Sequence, residues 1–187
     1  MWRSCSWCGR NRVRLPSTAG GWAGLWLLLA ACSADAGLDT LPELPGSEPV
    51  GSGEFTWFGM TVYQATLYAP DGVYRPDRPH ALRIRYALRF SRERLARSSL
   101  QEIERIHGPQ KDPGRLIERF SGLFRDVGNG DQITGVHYPG EGAAFFSDER
   151  LLGRLDDPAL AQAFFAIWLD PRSREPDLRE RLLGLAP

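Results

Sequence analysis

Cysteine and lysine are both scarce in this chain of 187 residues. The cysteines are Cys5, Cys8 and Cys32, so everything after Cys32 folds without a disulfide and must be stabilised by packing. Lys111 is the only lysine, and arginine supplies the other strong cations. The net charge is zero, but four arginines precede residue 15, which leaves the remainder mildly acidic. Nucleic acid is therefore not an expected partner, because phosphate binding needs a basic surface.

The sequence patterns of common reaction sites and metal centres are missing as well. His80, His107 and His137 are far apart and have no partner at ligand spacing, so surface or loop positions are predicted for them. There is no G-x-S-x-G nucleophile elbow and no glycine-rich loop that leads into a helix. The stretch Tyr138–Gly142 links two predicted strands, which indicates a turn and not a phosphate site. The sequence thus predicts no metal and no cofactor.

The main apolar run, Trp22–Ala31, is far shorter than the ~20 residues that a membrane-spanning helix needs. It follows an arginine-rich stretch and has the length of the apolar part of an export signal. The run ends in Leu29–Cys32, which resembles a lipobox, a pattern in which the cysteine thiol receives a lipid and becomes the new N-terminus. Cleavage after Ala36 and an uncleaved anchor are the alternatives.

These features divide the chain into three predicted segments. Residues 1–31 are expected to be a signal peptide, residues 32–52 a tether rich in Pro and Gly, and residues 53–187 the folded domain. With a lipid on Cys32, the domain would be periplasmic and anchored to the outer membrane. The serine at position 33, directly after the cysteine, resembles the residue at that position in lipoproteins that are sorted there. Without the lipid it would be soluble in the periplasm.

Period-2 and period-3.6 patterns alternate in blocks after residue 53. Strands are predicted at 54–58, 61–68, 81–90, 132–138, 143–146 and 151–155. Helices are predicted at 91–107, 112–128, 157–168 and 176–183, with caps or breakers at most of their ends. In the third strand Arg83 and Arg85 alternate with apolar residues and share one face. Consecutive strands followed by consecutive helices predict an α+β fold, a curved antiparallel sheet backed by helices.

Several ordered motifs in the predicted domain resemble the bacterial chalcone isomerase-like domain, part of the chalcone isomerase and fatty-acid-binding superfamily. The similarity covers about residues 50 to 185, and it rests on Gly59–Tyr68, Ala81–Tyr86, Gly130–Thr134, Phe164–Leu169 and Leu182–Gly184. The fold that this resemblance implies is an open-faced β-sandwich. It agrees with the element order derived from the residue patterns.

The resemblance also implies a reaction, which this sequence does not support in full. Plant members cyclise chalcones with a cationic side chain that holds the phenolate and a Thr/Tyr network that polarises the ketone. The family's arginine would lie near Gly53, but no Arg or Lys occurs between Cys32 and Tyr74. The family's threonine falls on Ala65, with Thr61 and Thr66 nearby. Two catalytic positions are thus unoccupied, and no catalytic residue is assigned.

Non-enzymatic relatives of this fold resemble fatty-acid binders, which implies a domain that holds a small apolar or amphipathic ligand. Such a cavity needs an apolar lining and a few fixed polar groups. Tyr63, Arg83 and Arg85 are the polar strand residues predicted to contact the ligand. Two other functions stay open: an isomerase or intramolecular lyase for another substrate, and an envelope protein whose exposed sheet face binds a partner.

Overall fold

The computed structural model describes residues 42–186, in which groups of strands alternate with pairs of helices. Its strands are β1 (Ser47–Trp57), β2 (Met60–Pro70), β3 (His80–Tyr86), β4 (Gln132–Tyr138), β5 (Gly142–Ser147) and β6 (Arg150–Leu155). Its helices are α1 (Arg92–His107), α2 (Pro113–Leu123), α3 (Pro158–Leu169) and α4 (Pro176–Leu182). The predicted α+β class is confirmed.

All six strands of the described region form one open, curved antiparallel sheet in sequential order, β1-β2-β3-β4-β5-β6. Helices α1 and α2 connect β3 to β4, whereas α3 and α4 follow the last strand. The central pair β3 and β4 therefore joins segments that lie far apart in the chain, with Leu82 opposite Gly135 and Ile84 opposite Ile133. Helices α2, α3 and α4 pack against the sheet, and α1 packs against α2 and α3.

The helices begin where the sequence supplies capping groups. The Ser91 hydroxyl accepts a hydrogen bond from the Arg94 backbone N–H at the start of α1. Asp112 and Asp157 cap α2 and α3 in the same way, and each is followed by a proline in the first turn. Helix α1 ends at Gly108, whose φ of 85° suits glycine. These four positions agree with the predicted helix ends.

One face of the sheet packs against the helices and forms the main core. Because side chains alternate between the two faces of a strand, Ala65, Leu67, Leu82 and Ile84 all lie in this core. They are buried there with aromatic residues of α2 and α3. Phe164 of α3 contacts five other aromatic rings: Phe120, Phe124, Phe145, Phe165 and Trp168. The opposite sheet face carries a smaller cluster made of Tyr68, Ala81 and Val136, with Leu44 packed against it.

Two predicted boundaries differ from the structure near the sheet. Strand β1 starts at Ser47, so residues 47–52 of the predicted tether pair with β2. Strand β3 stops at Tyr86 and not at residue 90, because the Gly130 N–H donates to the Tyr86 carbonyl and a loop replaces the strand partner. Phe90 forms an isolated bridge farther on.

Helix α2 is also shorter than the predicted 112–128. It ends at Leu123, and Phe124 adopts an extended conformation. The reason is a backbone pair with the segment before α1. Val127 and Phe90 exchange two hydrogen bonds of 2.9 and 3.0 Å, which only an extended residue 127 can make. A local apolar pattern does not reveal a bridge between residues 37 positions apart.

The prediction that the histidines occupy surface or loop positions was wrong for two of the three. His80 and His137 are 2% and 5% exposed, and they lie opposite each other in the β3–β4 pairing. Their ring centroids are 4.9 Å apart, and both rings contact Phe165 of α3. His107 is exposed at the end of α1, as predicted.

No helix within residues 42–186 is long and apolar enough to cross a membrane. The predicted signal at residues 1–31 and the predicted lipid site at Cys32 lie outside the described residues.

Candidate functional site

A cavity of about 510 Å³ opens where the β1–β2 hairpin, the end of β3, helix α1 and the end of α3 meet. It lies on the helix side of the sheet, on the same face as the main core. Apolar side chains make up most of its wall, among them Phe55, Val62, Tyr86, Leu88, Leu95 and Ile167. A space of this size with this lining suits a small apolar or amphipathic molecule.

Tyr63 places a hydroxyl group in this wall. Its oxygen accepts a hydrogen bond of 3.0 Å from the Trp168 indole N–H, and both side chains line the cavity. Within residues 42–186 no acceptor is found for the Tyr63 O–H itself, so this proton is available to a bound molecule. The contact links β2 to α3 across 105 positions of the chain.

The same hydroxyl stays protonated over the physiological pH range. Burial raises the pKa of Tyr63 to about 12, an effect that the Trp168 hydrogen bond lowers in part and that the nearby charges of Glu175 and Glu102 increase. Burial also raises the pKa of neighbouring Tyr86. Tyr63 can therefore donate a hydrogen bond to a ligand but is poorly suited to act as a base.

Among the described residues, the charged groups of the wall all lie on its α1 and 173–175 side. Arg174 forms an ion pair of 2.9 Å with Glu102, which also pairs with Arg105 at 2.7 Å. Arg94 lies over the Phe90 ring, with its guanidinium carbon 5.5 Å from the ring centroid. It forms no ion pair with any carboxylate of residues 42–186. Arg94 is thus the lining cation that is best placed to meet an anionic ligand group.

The structure does not bring the three predicted ligand residues together. Tyr63 pairs with Tyr86 on the cavity side, whereas Arg83 and Arg85 pair with Thr66 and Gln64 on the opposite sheet face. There Arg83 donates to the Tyr68 hydroxyl at 3.2 Å. Tyr63 lines the apolar cavity, and the two arginines line a separate and more polar depression. Ligand binding by any of the three stays a prediction.

The two positions expected from the family's reaction are used for packing. A Cβ atom on Gly53 would lie 2.7 Å from Arg181 Nε and 2.8 Å from Leu178 Cδ1, so α4 fills the space beside this residue. Ala65 is fully buried in the main core. The Thr61 hydroxyl donates to Glu54 at 3.1 Å, and Thr66 lies on the other sheet face. No threonine lines the cavity.

Sequence reasoning missed Arg94 and Trp168 as site residues. Trp168 belongs to one of the motifs that resemble the family, Phe164–Leu169. The residues around it do not indicate that its indole N–H donates to Tyr63, which lies 105 positions away. Arg94 is in the first turn of α1, where its exposure is all that helical periodicity predicts. Neither role is visible before β2 and the two helices are placed together.

Residues 42–186 contain no cluster of three or more His, Cys, Asp or Glu side chains able to hold a metal ion. The two adjacent histidines have no further ligand beside them in this part of the chain. Nothing in the described cavity wall resembles a metal centre.

The fold and the cavity define a class: an open antiparallel sheet backed by helices, with an apolar site between the two layers. The profile of the chalcone isomerase-like family matches residues 50–184, and the chain belongs to this family. It is similar in structure to a fatty-acid binding protein of Arabidopsis thaliana, with a TM-score of 0.55 and 14% identity over 78% of this chain and 95% of the plant chain. An uncharacterized protein of Haemophilus influenzae is 28% identical over 138 residues, which cover 73% of this chain and 68% of the relative.

Proposed function

We propose that this protein binds a fatty acid or a similar amphipathic molecule in the apolar cavity and does not transform it. The cavity itself is the observation that carries the proposal. Its volume of about 510 Å³ falls within the ~300–1,000 Å³ that is typical of small-molecule sites, and its wall is mostly apolar. The structural similarity to a plant fatty-acid binding protein supports the same ligand class.

The charges of the wall orient such a ligand. Glu102 and Glu175 lie near the Tyr63 hydroxyl and would repel a carboxylate there. Arg94, without a carboxylate partner among the described residues, offers an anionic head group a favourable position. The ligand then places its head at Arg94 and its apolar tail against residues such as Phe55 and Tyr86.

The absence of catalysis in this proposal is supported by the same geometry. The raised pKa of Tyr63 disfavours a phenolate base, and α4 fills the space beside Gly53 where the family's arginine is expected. Among residues 42–186, no histidine lines the cavity. An isomerase or lyase would have to work with a neutral tyrosine and the charged wall residues Arg94, Glu102, Arg174 and Glu175.

Export and anchoring form a separate part of the proposal. The arginine-rich start, the apolar run Trp22–Ala31 and the lipobox-like Leu29–Cys32 support secretion, with Cys32 as the lipidated residue. The domain would then act in the periplasm, held at the outer membrane.

Native mass spectrometry of the protein purified from a cell envelope tests both parts. A bound mass that dissociates on denaturation, and that fragments as a fatty acid, is the expected result. The denatured mass should equal that of a chain beginning at diacylated Cys32, whereas a start at Gly37 would contradict lipid anchoring. Protein without any bound mass would contradict a carrier function.

Displacement of a fluorescent fatty acid then locates the site. We expect Arg94→Gln to weaken binding by about tenfold, the effect of losing one charge-assisted hydrogen bond. Arg85→Gln is the matched control, because Arg85 is exposed on the opposite sheet face. Weaker binding only in the Arg85 variant would move the site to that face, and recovery of a chemically altered ligand would favour the isomerase.

A further inference from the structure

The hairpin between β1 and β2 ends in three exposed apolar side chains, Trp57, Phe58 and Met60. They are 56%, 88% and 58% exposed, and we call them the apolar tip. Trp57 pairs with Met60 as the last residues of the two strands, and the Trp57 and Phe58 rings contact each other with centroids 5.1 Å apart. The strand pairing thus holds three large apolar groups together at one end of the sheet.

The turn that carries the tip is a poor place for phenylalanine on grounds of folding alone. Phe58 has φ of 47° and Gly59 has φ of 75°, the left-handed values of a two-residue hairpin turn. Asn, Asp or Gly adopts this conformation at less cost than a bulky aromatic residue. Since the Phe58 side chain is almost fully exposed, core packing does not repay that cost. Within the domain the Phe58 ring contacts Trp57, and contact with something outside the domain would add to this gain.

The segment that leads into α1 beside the apolar tip is rich in arginine. Residues 88–97 contain Arg89, Arg92, Arg94 and Arg97 but a single acid, Glu93. Arg94 and the exposed Leu88 line the same cavity as Trp57 and Met60, which places the start of α1 next to the tip. Apolar and cationic groups therefore share the end of the domain at which the cavity opens.

We propose that this end of the domain docks onto the surface of an anionic phospholipid membrane, with the apolar tip inserted at the level of the head groups. Tryptophan and phenylalanine favour this depth. Each arginine near an anionic surface adds to the electrostatic attraction. The inference goes beyond the proposed function, because docking needs no ligand in the cavity. If the cavity does hold an amphipathic ligand, its opening faces the bilayer and the ligand exchanges without crossing water.

The charges favour a membrane over a second copy of this chain. A symmetric pair of apolar tips would bring two arginine-rich α1 segments against each other, and like charges repel. An anionic bilayer neutralises the same arginines. The predicted lipid on Cys32 would also keep the domain beside a membrane.

Photocrosslinking of the full chain tests this proposal. The photoreactive residue p-benzoylphenylalanine replaces Phe58, and in a matched control it replaces Leu185, which is 67% exposed. Both proteins are reconstituted in vesicles of phosphatidylethanolamine and phosphatidylglycerol. We expect phospholipid adducts at position 58 and at least about tenfold fewer at position 185.

The electrostatic part has its own readout in the same experiment. Replacing phosphatidylglycerol by phosphatidylcholine, or introducing Arg89→Gln together with Arg97→Gln, should lower the adduct yield at position 58 by about tenfold. Equal lipid adducts at both positions, no lipid adduct, or an adduct to a second copy of the chain would each overturn the proposal. Phe58 is not among the described residues that line the cavity, so adducts at position 58 report contact outside the cavity and do not depend on fatty-acid binding.

Discussion

The two buried histidines show how much a single residue depends on its neighbours in space. Within residues 42–186 neither ring nitrogen of His137 finds a hydrogen-bond partner, while His80 Nδ1 contacts the Arg78 carbonyl oxygen at 2.9 Å. Burial, together with a smaller effect of the neighbouring His80, lowers the pKa of His137 to about 4. Burial also lowers the pKa of His80. Both side chains are therefore neutral in the folded protein near pH 7.

Folding stability should consequently fall below pH 6.5. A histidine with a lowered folded pKa contributes no penalty above its unfolded pKa of ~6.5, but it favours the unfolded state as the pH falls from there towards 4. For His137 alone, we expect the free energy of unfolding to be about 2 kcal/mol lower at pH 5.0 than at pH 7.5. Urea denaturation at the two pH values measures this difference.

The controls for this prediction are two further variants. His137→Gln should reduce the pH-dependent loss by about 2 kcal/mol. His107→Gln should leave it unchanged, because His107 is exposed. An identical pH dependence in all three proteins would show that the loss comes from other groups.

The site residues illustrate the same limit of local reasoning. Period-2 alternation correctly placed Arg83 and Arg85 on one face of β3, away from Ile84. It did not say which face of β2 adjoins the helices, since that depends on the β2–β3 register, in which Tyr63 pairs with Tyr86. A shift of one residue exchanges the two faces. Whether Tyr63, Arg83 and Arg85 could contact one ligand together was therefore not decidable before the register was known.

Helix α4 packs closely against the sheet at two glycines of β1, Gly51 and Gly53. A Cβ atom on Gly51 would overlap the Arg181 carbonyl oxygen and lie 2.9 Å from that of Leu182. The helix backbone thus contacts the strand directly, which only glycine permits. This contact also explains why the residues before position 53 belong to the fold and not to a flexible tether.

Substitution of Gly51 should accordingly loosen the attachment of α4. We expect Gly51→Ala to lower the free energy of unfolding by about 1–3 kcal/mol, the usual cost of overpacking. Gly122→Ala is the control: it lies in α2 with open space around it and should raise stability by about 0.5–1 kcal/mol. Chemical denaturation of both variants measures the changes. A neutral Gly51→Ala would mean that α4 does not rest on β1 in solution.

Element boundaries were predictable where the signal is local. The caps at Ser91, Asp112 and Asp157 give the starts of three helices, because each contact spans only three residues. The end of α2 was not predictable, since Val127 leaves the helix to bond with Phe90. Long-range backbone bonds carry no signature in the sequence of either partner.

In the whole molecule, Phe164 joins the layers. Its ring lies 5.2 Å from Phe145 of β5, 5.6 Å from Phe120 of α2 and 5.4 Å from Trp168 of α3. No cysteine follows Cys32, so this packing replaces disulfides as the source of stability. Loss of the ring would leave a cavity between the sheet and two helices.

We therefore expect Phe164→Ala to lower the free energy of unfolding by about 3–5 kcal/mol in a single cooperative transition. Phe58→Ala should change it by less than ~0.5 kcal/mol, because Phe58 is 88% exposed. Thermal and denaturant unfolding, followed by circular dichroism, compare the two. Similar losses in both variants would contradict the layered core described above.

The sequence by itself determined the fold class, most helix starts, the alternation within strands and the family. These properties depend on residues within a few positions of one another or on ordered motifs. The tertiary structure alone decided which strand faces pack against the helices. It also decided that His80 contacts His137, and that Tyr63, Trp168 and Arg94 line one cavity. The reason is that sheet register and helix placement are set by packing between residues dozens of positions apart, which no local pattern encodes.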